Sequence, residues 1–191
     1  TLKAIGIPYV VLHSGSHDWR HKILDLIKIA KSCQRPVAVV FRKDTFESSS
    51  SYASEPDEDF TLGREEAIQT LVEYSDPNDI FVASTGMIGR ELFEIRKLKQ
   101  QSNDTDFLTV GGMGHASQIA SRIAATLPDR RVICLDGDGA LLMHAGGMAE
   151  CAQNSNLLHV VLNNGAHDSV GGQPTAALRI NLQKIADGFG Y

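Results

Sequence analysis

Short apolar runs alternate with longer segments of helical periodicity along most of this chain. The alternation predicts βαβ units and a parallel sheet, because parallel strands need a long crossover that is usually a helix. The runs from Asp79 onward are apolar at successive positions, as expected of strands covered on both faces. We predict strands at residues 9–12, 36–41, 79–84, 107–110, 132–135 and 159–162. Helices are predicted at residues 17–32, 63–74, 88–99, 116–127 and 146–154, and from about residue 177 towards the end.

A polar segment, ESSSSYASEPDEDF at residues 47–60, interrupts this rhythm. It is rich in serine and acidic residues and has little to bury, which is typical of a linker. Only two predicted strands and one helix precede it, too few for a domain. We therefore expect residues 1–47 to be the tail of a second α/β domain, residues 48–61 a linker, and residues 62–191 the main domain. We also expect the chain to be a fragment at both ends, with the main domain truncated at its C-terminus.

Composition restricts the classes of partner. The chain has 191 residues, of which 42% are apolar and 21% charged, as in ordinary soluble globular proteins. Its net charge of −5 argues against nucleic acid or an anionic membrane surface as a partner, and no apolar run is long enough to span a bilayer. Its three cysteines are widely spaced, which argues against a disulfide framework or a structural zinc site. We expect a cytoplasmic protein.

Two polar sequences follow neighbouring β-rich runs. Gly137-Asp138-Gly139 ends one run, and Asn163-Asn164 ends the next. The carboxyl ends of parallel strands open into the crevice where ligands bind, so both sequences are expected in the same crevice. Asp138 and Asn164 offer the hard oxygen atoms that Mg²⁺ prefers, and a following helix N-terminus favours an anion. Glycines permit close backbone approach and turn conformations. The arrangement predicts a cradle for a magnesium–diphosphate pair.

GDG followed by NN, with twenty-three residues between Gly139 and Asn163, resembles the motif of thiamin-diphosphate-dependent enzymes. The resemblance implies the diphosphate-binding domain of that fold, a doubly wound, mostly parallel α/β sheet. It also implies that Mg²⁺ is held by the side chains of Asp138 and Asn164 and by the Ala166 carbonyl. Cofactor contacts are implied at Gly137, Gly139 and Ala140. The alternative interpretation is two unrelated turns.

The resemblance extends to three further places. Met113, in Gly111-Gly112-Met113-Gly114, follows a predicted strand and is implied to lie under the cofactor and bend it; the alternative is a core methionine. Thr85 and Gly86 are implied to lie near the diphosphate, although such residues also cap helices routinely. Ser169, in the loop after the second motif, is implied to contact a diphosphate oxygen.

Within the superfamily, LNNGAHDSVGGQPT is most similar to phosphonopyruvate decarboxylases, followed by sulfopyruvate decarboxylases. RPVAVVFRKDTFE at residues 35–47 and TGMIGRELFE at residues 85–94 agree, although Gly89 stands where serine is usual. The resemblance implies magnesium- and thiamin-diphosphate-dependent decarboxylation of 3-phosphonopyruvate to phosphonoacetaldehyde and carbon dioxide. The alternatives are sulfopyruvate decarboxylation, or a cofactor-binding subunit without turnover. A dinucleotide-binding domain would need a glycine-rich turn directly after its first strand and a ribose-binding acid farther on, and neither appears in that order.

His167 and His115 are the candidate acid–base residues, because histidine titrates near neutrality. The alternative is that His167 is a solvated loop residue and that His115 has no catalytic role. The glutamate that activates the cofactor in this superfamily lies on the pyrimidine-binding domain and is expected outside this chain. We therefore expect the chain alone to be inactive, and the full protein to be a homo-oligomer with its active site between subunits, acting on a small 2-oxo acid.

Overall fold

The computed structural model describes residues 1–47 and 61–191. The chain divides into two compact units, Thr1–Ser51 and Tyr52–Tyr191. The predicted linker at residues 48–61 lies outside the described residues, apart from its last position.

The first unit is a single βαβ element. Strand β1 (Tyr9–Leu12) leads through helix α1 (Trp19–Cys33) to strand β2 (Ala38–Phe41). The strands pair in parallel, with Tyr9 opposite Ala38. β2 begins two residues later than predicted, after Pro36, which has no N–H to contribute to a ladder.

The second unit is built around a four-stranded sheet in the order β4-β3-β5-β6, and all of its pairings are parallel. Its helices and strands run, in chain order, α2 (Arg64–Glu73), β3 (Ile80–Ala83), α3 (Met87–Leu98), β4 (Asp106–Leu108), α4 (Ala116–Thr126), β5 (Val132–Gly137), α5 (Asp138–Met143), α6 (Met148–Cys151), β6 (Leu157–Leu162), β7 (Ala166–His167), β8 (Gln173–Pro174) and α7 (Leu182–Phe189). Short 3₁₀ turns occupy Ala145–Gly147, Asp168–Val170 and Ala177–Arg179.

Helices cover both faces of this sheet. On one face, Phe81 of β3 and Ile133 of β5 pack with apolar residues of α2 and α3. On the other, Val82 and Cys134, each one position farther along its strand, pack against the alanines of α4. Successive residues of the two central strands therefore enter different cores, which explains why these strands are apolar at every position. The predicted doubly wound, mostly parallel sheet is confirmed.

The order of the strands locates a crevice. From β3 the chain moves outward to β4, and it then returns to the other side of β3 to form β5 and β6. The direction of winding reverses between β3 and β5, and this is the position at which open parallel sheets bind ligands beyond the carboxyl ends of their strands.

Two local predictions were wrong. The helix predicted at residues 146–154 is only the four-residue α6 after a 3₁₀ turn. The last helix begins at Leu182 rather than near Ala177, because the side chain of Asn181 accepts a hydrogen bond from the Lys184 amide and caps it there. The residues after β7, for which no strand was predicted, return in part as β8. Among the described helices, none has the length and apolar character needed to cross a membrane.

Candidate functional site

A cleft of about 380 Å³ lies at the carboxyl ends of β3, β5 and β6. This volume is within the range of small-molecule sites, roughly 300–1,000 Å³. Its wall includes the residues that follow each of these strands and the start of α2. The predicted site residues that line it are Thr85, Met113, Gly137, Asp138, Gly139, Ala140, Asn164, Ala166, His167 and Ser169.

Asp138 stands where β5 passes directly into α5. Gly137 ends the strand and caps the helix with an extended backbone, so Asp138 is the first helical residue. The side chain of Asp138 is buried, and its Oδ2 accepts a hydrogen bond from the hydroxyl of Thr175. Its other oxygen, Oδ1, has no hydrogen-bond partner among the described residues. A buried carboxylate with one oxygen held and one free is suited to bind a cation.

Gly139 permits a close approach rather than an unusual turn. Neither Gly137 nor Gly139 has a positive φ, so the expected turn conformations are not adopted. A Cβ atom at Gly139 would lie 2.3 Å from the imidazole of His167 and 3.2 Å from the methyl group of Thr175. The absence of a side chain at Gly139 therefore lets the loops after β6 close over the start of α5.

The loop after β6 orients Asn164. Its amide nitrogen Nδ2 donates to Asp168 Oδ2 at 2.7 Å, and its Oδ1 accepts from the backbone N–H of Ala166 at 3.1 Å. Gly165 has a φ of +68°, which favours glycine, and a Cβ there would meet the side chain of Leu178. The loop conformation therefore depends on a glycine beside the proposed ligand.

The Ala166 carbonyl is not used by the neighbouring hairpin. β7 and β8 pair in antiparallel fashion, with Ala166 opposite Pro174. The flanking hydrogen bonds join the Thr175 amide to the Gly165 carbonyl at 2.7 Å and the Gly172 amide to the His167 carbonyl at 3.0 Å. Hydrogen-bonded and non-hydrogen-bonded pairs alternate along an antiparallel ladder, so Ala166 and Pro174 form a non-hydrogen-bonded pair. The Ala166 carbonyl therefore points away from β8 and is left for another ligand.

The remaining predicted cofactor contacts surround the same cleft. Thr85 follows β3, and Gly86 caps α3 with a φ of 105°. Gly86 is not among the cleft-lining residues, but a Cβ on it would meet Ser169 at 3.1 Å, so the two predicted contacts face each other. Met113 lines the cleft from the loop after β4 and is half-buried.

The structure separates the two candidate histidines. His167 is half-buried and lines the cleft. His115 is exposed, is absent from the cleft lining, and stacks against His144 with ring centroids 4.2 Å apart. Only His167 is placed among the other predicted site residues.

Sequence reasoning missed an ion-pair network at the cleft. Arg64, the first residue of α2, donates to both carboxylate oxygens of Glu91 on α3, each at 2.8 Å. Its remaining terminal nitrogen donates to Asp168 Oδ2 at 3.0 Å. Asp168 lies 104 positions from Arg64 along the chain, so no local pattern could have indicated the contact.

A second polar group lies behind the cleft, on the opposite side of β5 from α2 and α3. Asp136 accepts a hydrogen bond from the Gly137 amide at 3.0 Å, and its Oδ2 lies 3.5 Å from Nε2 of His159. The other ring nitrogen of His159 is hydrogen-bonded to the Tyr191 hydroxyl at 2.9 Å. The Asp136 and His159 side chains are almost fully buried, and with Cys134 they form a compact group of potential ligand atoms.

The charges and donors of the cleft fit a metal–diphosphate pair. Among the described residues that line it, Arg64 carries the one permanent positive charge, opposed by Asp138 and Asp168. An anionic diphosphate therefore needs a cation to enter. The free Asp138 oxygen, the Asn164 amide oxygen and the Ala166 carbonyl are hard oxygen donors suited to Mg²⁺. Met87 also lines the cleft, so the N-terminus of the twelve-residue helix α3 favours an anion there.

Comparison with known proteins gives a consistent result. Residues 82–190 match the family model of the thiamine pyrophosphate enzyme C-terminal TPP binding domain. The phosphonopyruvate decarboxylase of Streptomyces hygroscopicus is 36% identical over 127 residues, which cover 65% of this chain and 30% of that protein. The sulfopyruvate decarboxylase subunit beta of Methanothermobacter thermautotrophicus is 35% identical over 132 residues, 68% of each chain.

A solved structure has the same fold. It is the X-ray structure of a candidate thiamin diphosphate-dependent enzyme from Mycobacterium smegmatis, with a TM-score of 0.55 and 18% identity over 88% of this chain and 32% of that one. The chain also spans only about 30% of the length of the two phosphonopyruvate decarboxylases that it matches.

Proposed function

From the premise that this chain belongs to the thiamine pyrophosphate enzymes, through their C-terminal TPP binding domain, we propose that it supplies the diphosphate- and metal-binding half of a 2-oxo acid decarboxylase. The cofactors are thiamin diphosphate and Mg²⁺. The proposed substrate is 3-phosphonopyruvate, which is converted to phosphonoacetaldehyde and carbon dioxide.

The geometry around Asp138 carries this proposal. Thr175 holds one oxygen of its carboxylate and leaves the other free, in the cleft that Asn164 and Ala166 also line. Mg²⁺ in such sites is held by one or two protein side chains and by phosphate oxygens, with water completing the octahedron. Asp138, Asn164 and the Ala166 carbonyl are the three proposed protein ligands.

The other cleft residues bind and orient the cofactor. Thr85 and Ser169 carry hydroxyls for the diphosphate oxygens. Gly86 packs closely against Ser169, and Gly139 packs closely against His167, so both glycines bring these side chains near the start of a helix. Met113 supplies an apolar support for the cofactor rings. When bound, thiamin diphosphate supplies the electron sink for the loss of carbon dioxide. His167 is the proposed proton-handling residue, since it lines the cleft and His115 does not.

The completed site needs another polypeptide segment. The glutamate that activates the cofactor is proposed to lie on a pyrimidine-binding domain, outside residues 62–191. We propose that residues 1–47 are the end of such a domain and that the site is completed between subunits of an oligomer. Three relatives are named subunit beta of sulfopyruvate decarboxylase, and such a name implies a second subunit in those proteins.

Sulfopyruvate is the second candidate substrate. The relatives named sulfopyruvate decarboxylase subunit beta match over about two thirds of their length, whereas the named phosphonopyruvate decarboxylases match over 30%. We favour phosphonopyruvate because the run from Leu162 to Thr175 is most similar to that group. Decarboxylation of the two substrates, assayed side by side as kcat/KM on the full protein, decides between them.

The cofactor site is tested by calorimetric titration of the full protein with thiamin diphosphate, with and without Mg²⁺. Asp138→Asn keeps the shape of the side chain and removes the charge, so Mg²⁺-dependent binding should be lost. Asp129→Asn, which removes an exposed carboxylate from a turn, should bind like the wild-type protein. The proposal is wrong if the wild-type protein does not bind thiamin diphosphate in the presence of Mg²⁺, or if Asp138→Asn binds it with wild-type affinity.

A further inference from the structure

We propose that Arg64 is a positioning residue for the metal site, and that it acts through Asp168 to fix the side-chain amide of Asn164 with its oxygen available to the cation. The inference rests on the proposed function, because it concerns how the proposed ligand is oriented. It assigns a role to residues that contact neither the proposed metal nor the reacting atoms.

The guanidinium of Arg64 is held in place on two sides. Two of its nitrogens form a bidentate pair with Glu91 at 2.8 Å each, and the third reaches Asp168 at 3.0 Å. A bidentate arginine–carboxylate pair fixes orientation as well as charge. The side chains of Arg64 and Glu91 are 26% and 16% exposed, so water weakens this pair less than a surface pair.

Arg64 remains charged throughout the physiological range. Its pKa is raised, and the hydrogen bond to Glu91 is the main cause; burial opposes this increase, and the hydrogen bond to Asp168 adds a smaller one. Glu91 also anchors it to α3, the helix whose N-terminus faces the cleft. The group that contacts Asp168 is thus a fixed positive charge carried by two packed helices.

Asp168 links the fixed guanidinium of Arg64 to the side chain of Asn164. The same oxygen, Asp168 Oδ2, accepts from Arg64 and from Asn164 Nδ2, the latter at 2.7 Å. An asparagine amide has one donor end and one acceptor end. While Nδ2 is committed to Asp168, the acceptor Oδ1 is the end left for the Ala166 amide and for a cation. An amide rotated the other way would present two N–H groups, which repel a cation.

The network also balances the charge of the cleft. Without Arg64, the carboxylates of Asp138 and Asp168 would both face an anionic diphosphate with only the metal to offset them. With Arg64 in place, the Asp168 carboxylate is already paired with a positive charge. The Asp138 carboxylate is then the negative charge of the cleft that remains to bind the metal. Arg64 itself has Nε, Nη1 and Nη2 all engaged with carboxylates, which favours the positioning role over direct contact with the diphosphate.

The test separates metal affinity from cofactor affinity in the full protein. The dissociation constant for Mn²⁺ is measured at saturating thiamin diphosphate by electron paramagnetic resonance, and that for thiamin diphosphate at saturating Mn²⁺ by calorimetry. Removing a charge-assisted hydrogen bond typically weakens a coupled site on the order of tenfold or more. We expect Arg64→Gln and Asp168→Asn to raise the Mn²⁺ constant by about that factor, with thiamin diphosphate binding restored at saturating Mn²⁺.

Two further variants isolate the positioning role. Arg64→Lys keeps the charge without the planar fork and should recover part of the lost Mn²⁺ affinity. Lys99→Gln breaks the ion pair between Lys99 and Glu73, which joins the other ends of α2 and α3 at 2.6 Å. Lys99→Gln should leave the Mn²⁺ affinity unchanged. If any ion pair that joins α2 and α3 were enough to support the metal site, Lys99→Gln would weaken Mn²⁺ binding as well.

The outcomes are distinguishable. A raised Mn²⁺ constant in Arg64→Gln and Asp168→Asn, partial recovery in Arg64→Lys and no change in Lys99→Gln support the inference. An unchanged Mn²⁺ constant in Arg64→Gln overturns it, and so does weak thiamin diphosphate binding that persists at saturating Mn²⁺, because that result indicates direct contact with the diphosphate. A wild-type protein that binds neither Mn²⁺ nor thiamin diphosphate overturns the proposed function, and this inference with it.

Discussion

The hydroxyl of Thr175 donates a hydrogen bond to the carboxylate of Asp138, although 37 positions separate the two residues along the chain. Both side chains are buried, and the same hydroxyl oxygen accepts the backbone N–H of Ala177 at 3.2 Å. Thr175 therefore connects the proposed metal ligand to the segment that follows β8. The segment after β6 returns to the cleft because its end is fixed to the start of α5.

Thr175→Val tests this connection, because valine has nearly the same shape and lacks the hydroxyl. The change leaves the Asp138 oxygen and the Ala177 amide unpaired in a buried place, which costs about 1–3 kcal/mol for each group. We expect a lower free energy of unfolding and a Mg²⁺ affinity weaker by about tenfold. Urea unfolding and magnesium-dependent binding of thiamin diphosphate measure the two effects. Thr175→Ser, which restores the hydroxyl, should bind close to wild type, and equal Mg²⁺ affinity in Thr175→Val would contradict the expected role.

Gly139→Ala should abolish cofactor binding for a steric reason. The new Cβ would lie 2.3 Å and 2.5 Å from two atoms of the His167 ring, so either the ring or the start of α5 must move. Gly188→Ala, in the last turn of α7, meets nothing within 4 Å and should stabilise the protein by up to about 0.5 kcal/mol. Thermal unfolding and titration of both variants with thiamin diphosphate and Mg²⁺ check the contrast. Wild-type affinity in Gly139→Ala would show that the two loops are not closely packed.

Asp106→Asn should strongly destabilise the second unit. Arg96 donates to both oxygens of Asp106, at 3.0 Å and 3.1 Å, and its guanidinium lies 4.8 Å from the centre of the Phe81 ring. The two side chains are only 10% and 1% exposed, so removing the carboxylate leaves a buried charge unpaired, at a cost of about 3–5 kcal/mol.

Glu94→Gln provides the comparison for that variant, because Glu94 and Lys97 form an exposed pair at 3.9 Å. Exposed pairs contribute roughly 0–1 kcal/mol, so this variant should unfold at nearly the wild-type urea concentration. If the two variants lost equal stability, the buried pair would not have the importance assigned to it.

The sequence indicated the parts of the fold and the site that depend on local patterns. Apolar runs placed all six predicted strands to within about two residues, and the polar residues after β5 and β6 identified Asp138 and Asn164 as neighbours in one cleft. These signals are local because a strand covered on both faces must be apolar at each position. The family assignment, suggested by the same motifs, is confirmed by the match over residues 82–190.

The parts that sequence could not supply depend on distant contacts. Arg64 opens a helix and resembles any solvated arginine until Glu91 and Asp168 are placed beside it. Thr175 is one hydroxyl in a glycine- and proline-containing segment until it meets Asp138. The start of α5 at Asp138 itself was not predicted either, because a glycine on each side of an aspartate is as typical of a turn as of a strand-to-helix junction.

The buried thiols should make the protein less stable at alkaline pH. Burial raises the pKa of Cys134 well above its usual value near 9.0, and burial is also the main cause of the raised pKa of Cys151. Above about pH 8.5 the unfolded chain loses these protons while the folded protein retains them, so the thiol contribution is complete below that pH and decreases as the pH rises. We expect the free energy of unfolding to fall by up to about 1.4 kcal/mol per pH unit for each thiol.

Urea unfolding under reducing conditions between pH 7.5 and 9.5 measures this slope. The slope should flatten in Cys134→Ala and persist in Cys33→Ala, which removes an exposed thiol; identical slopes in the two variants would contradict the assignment.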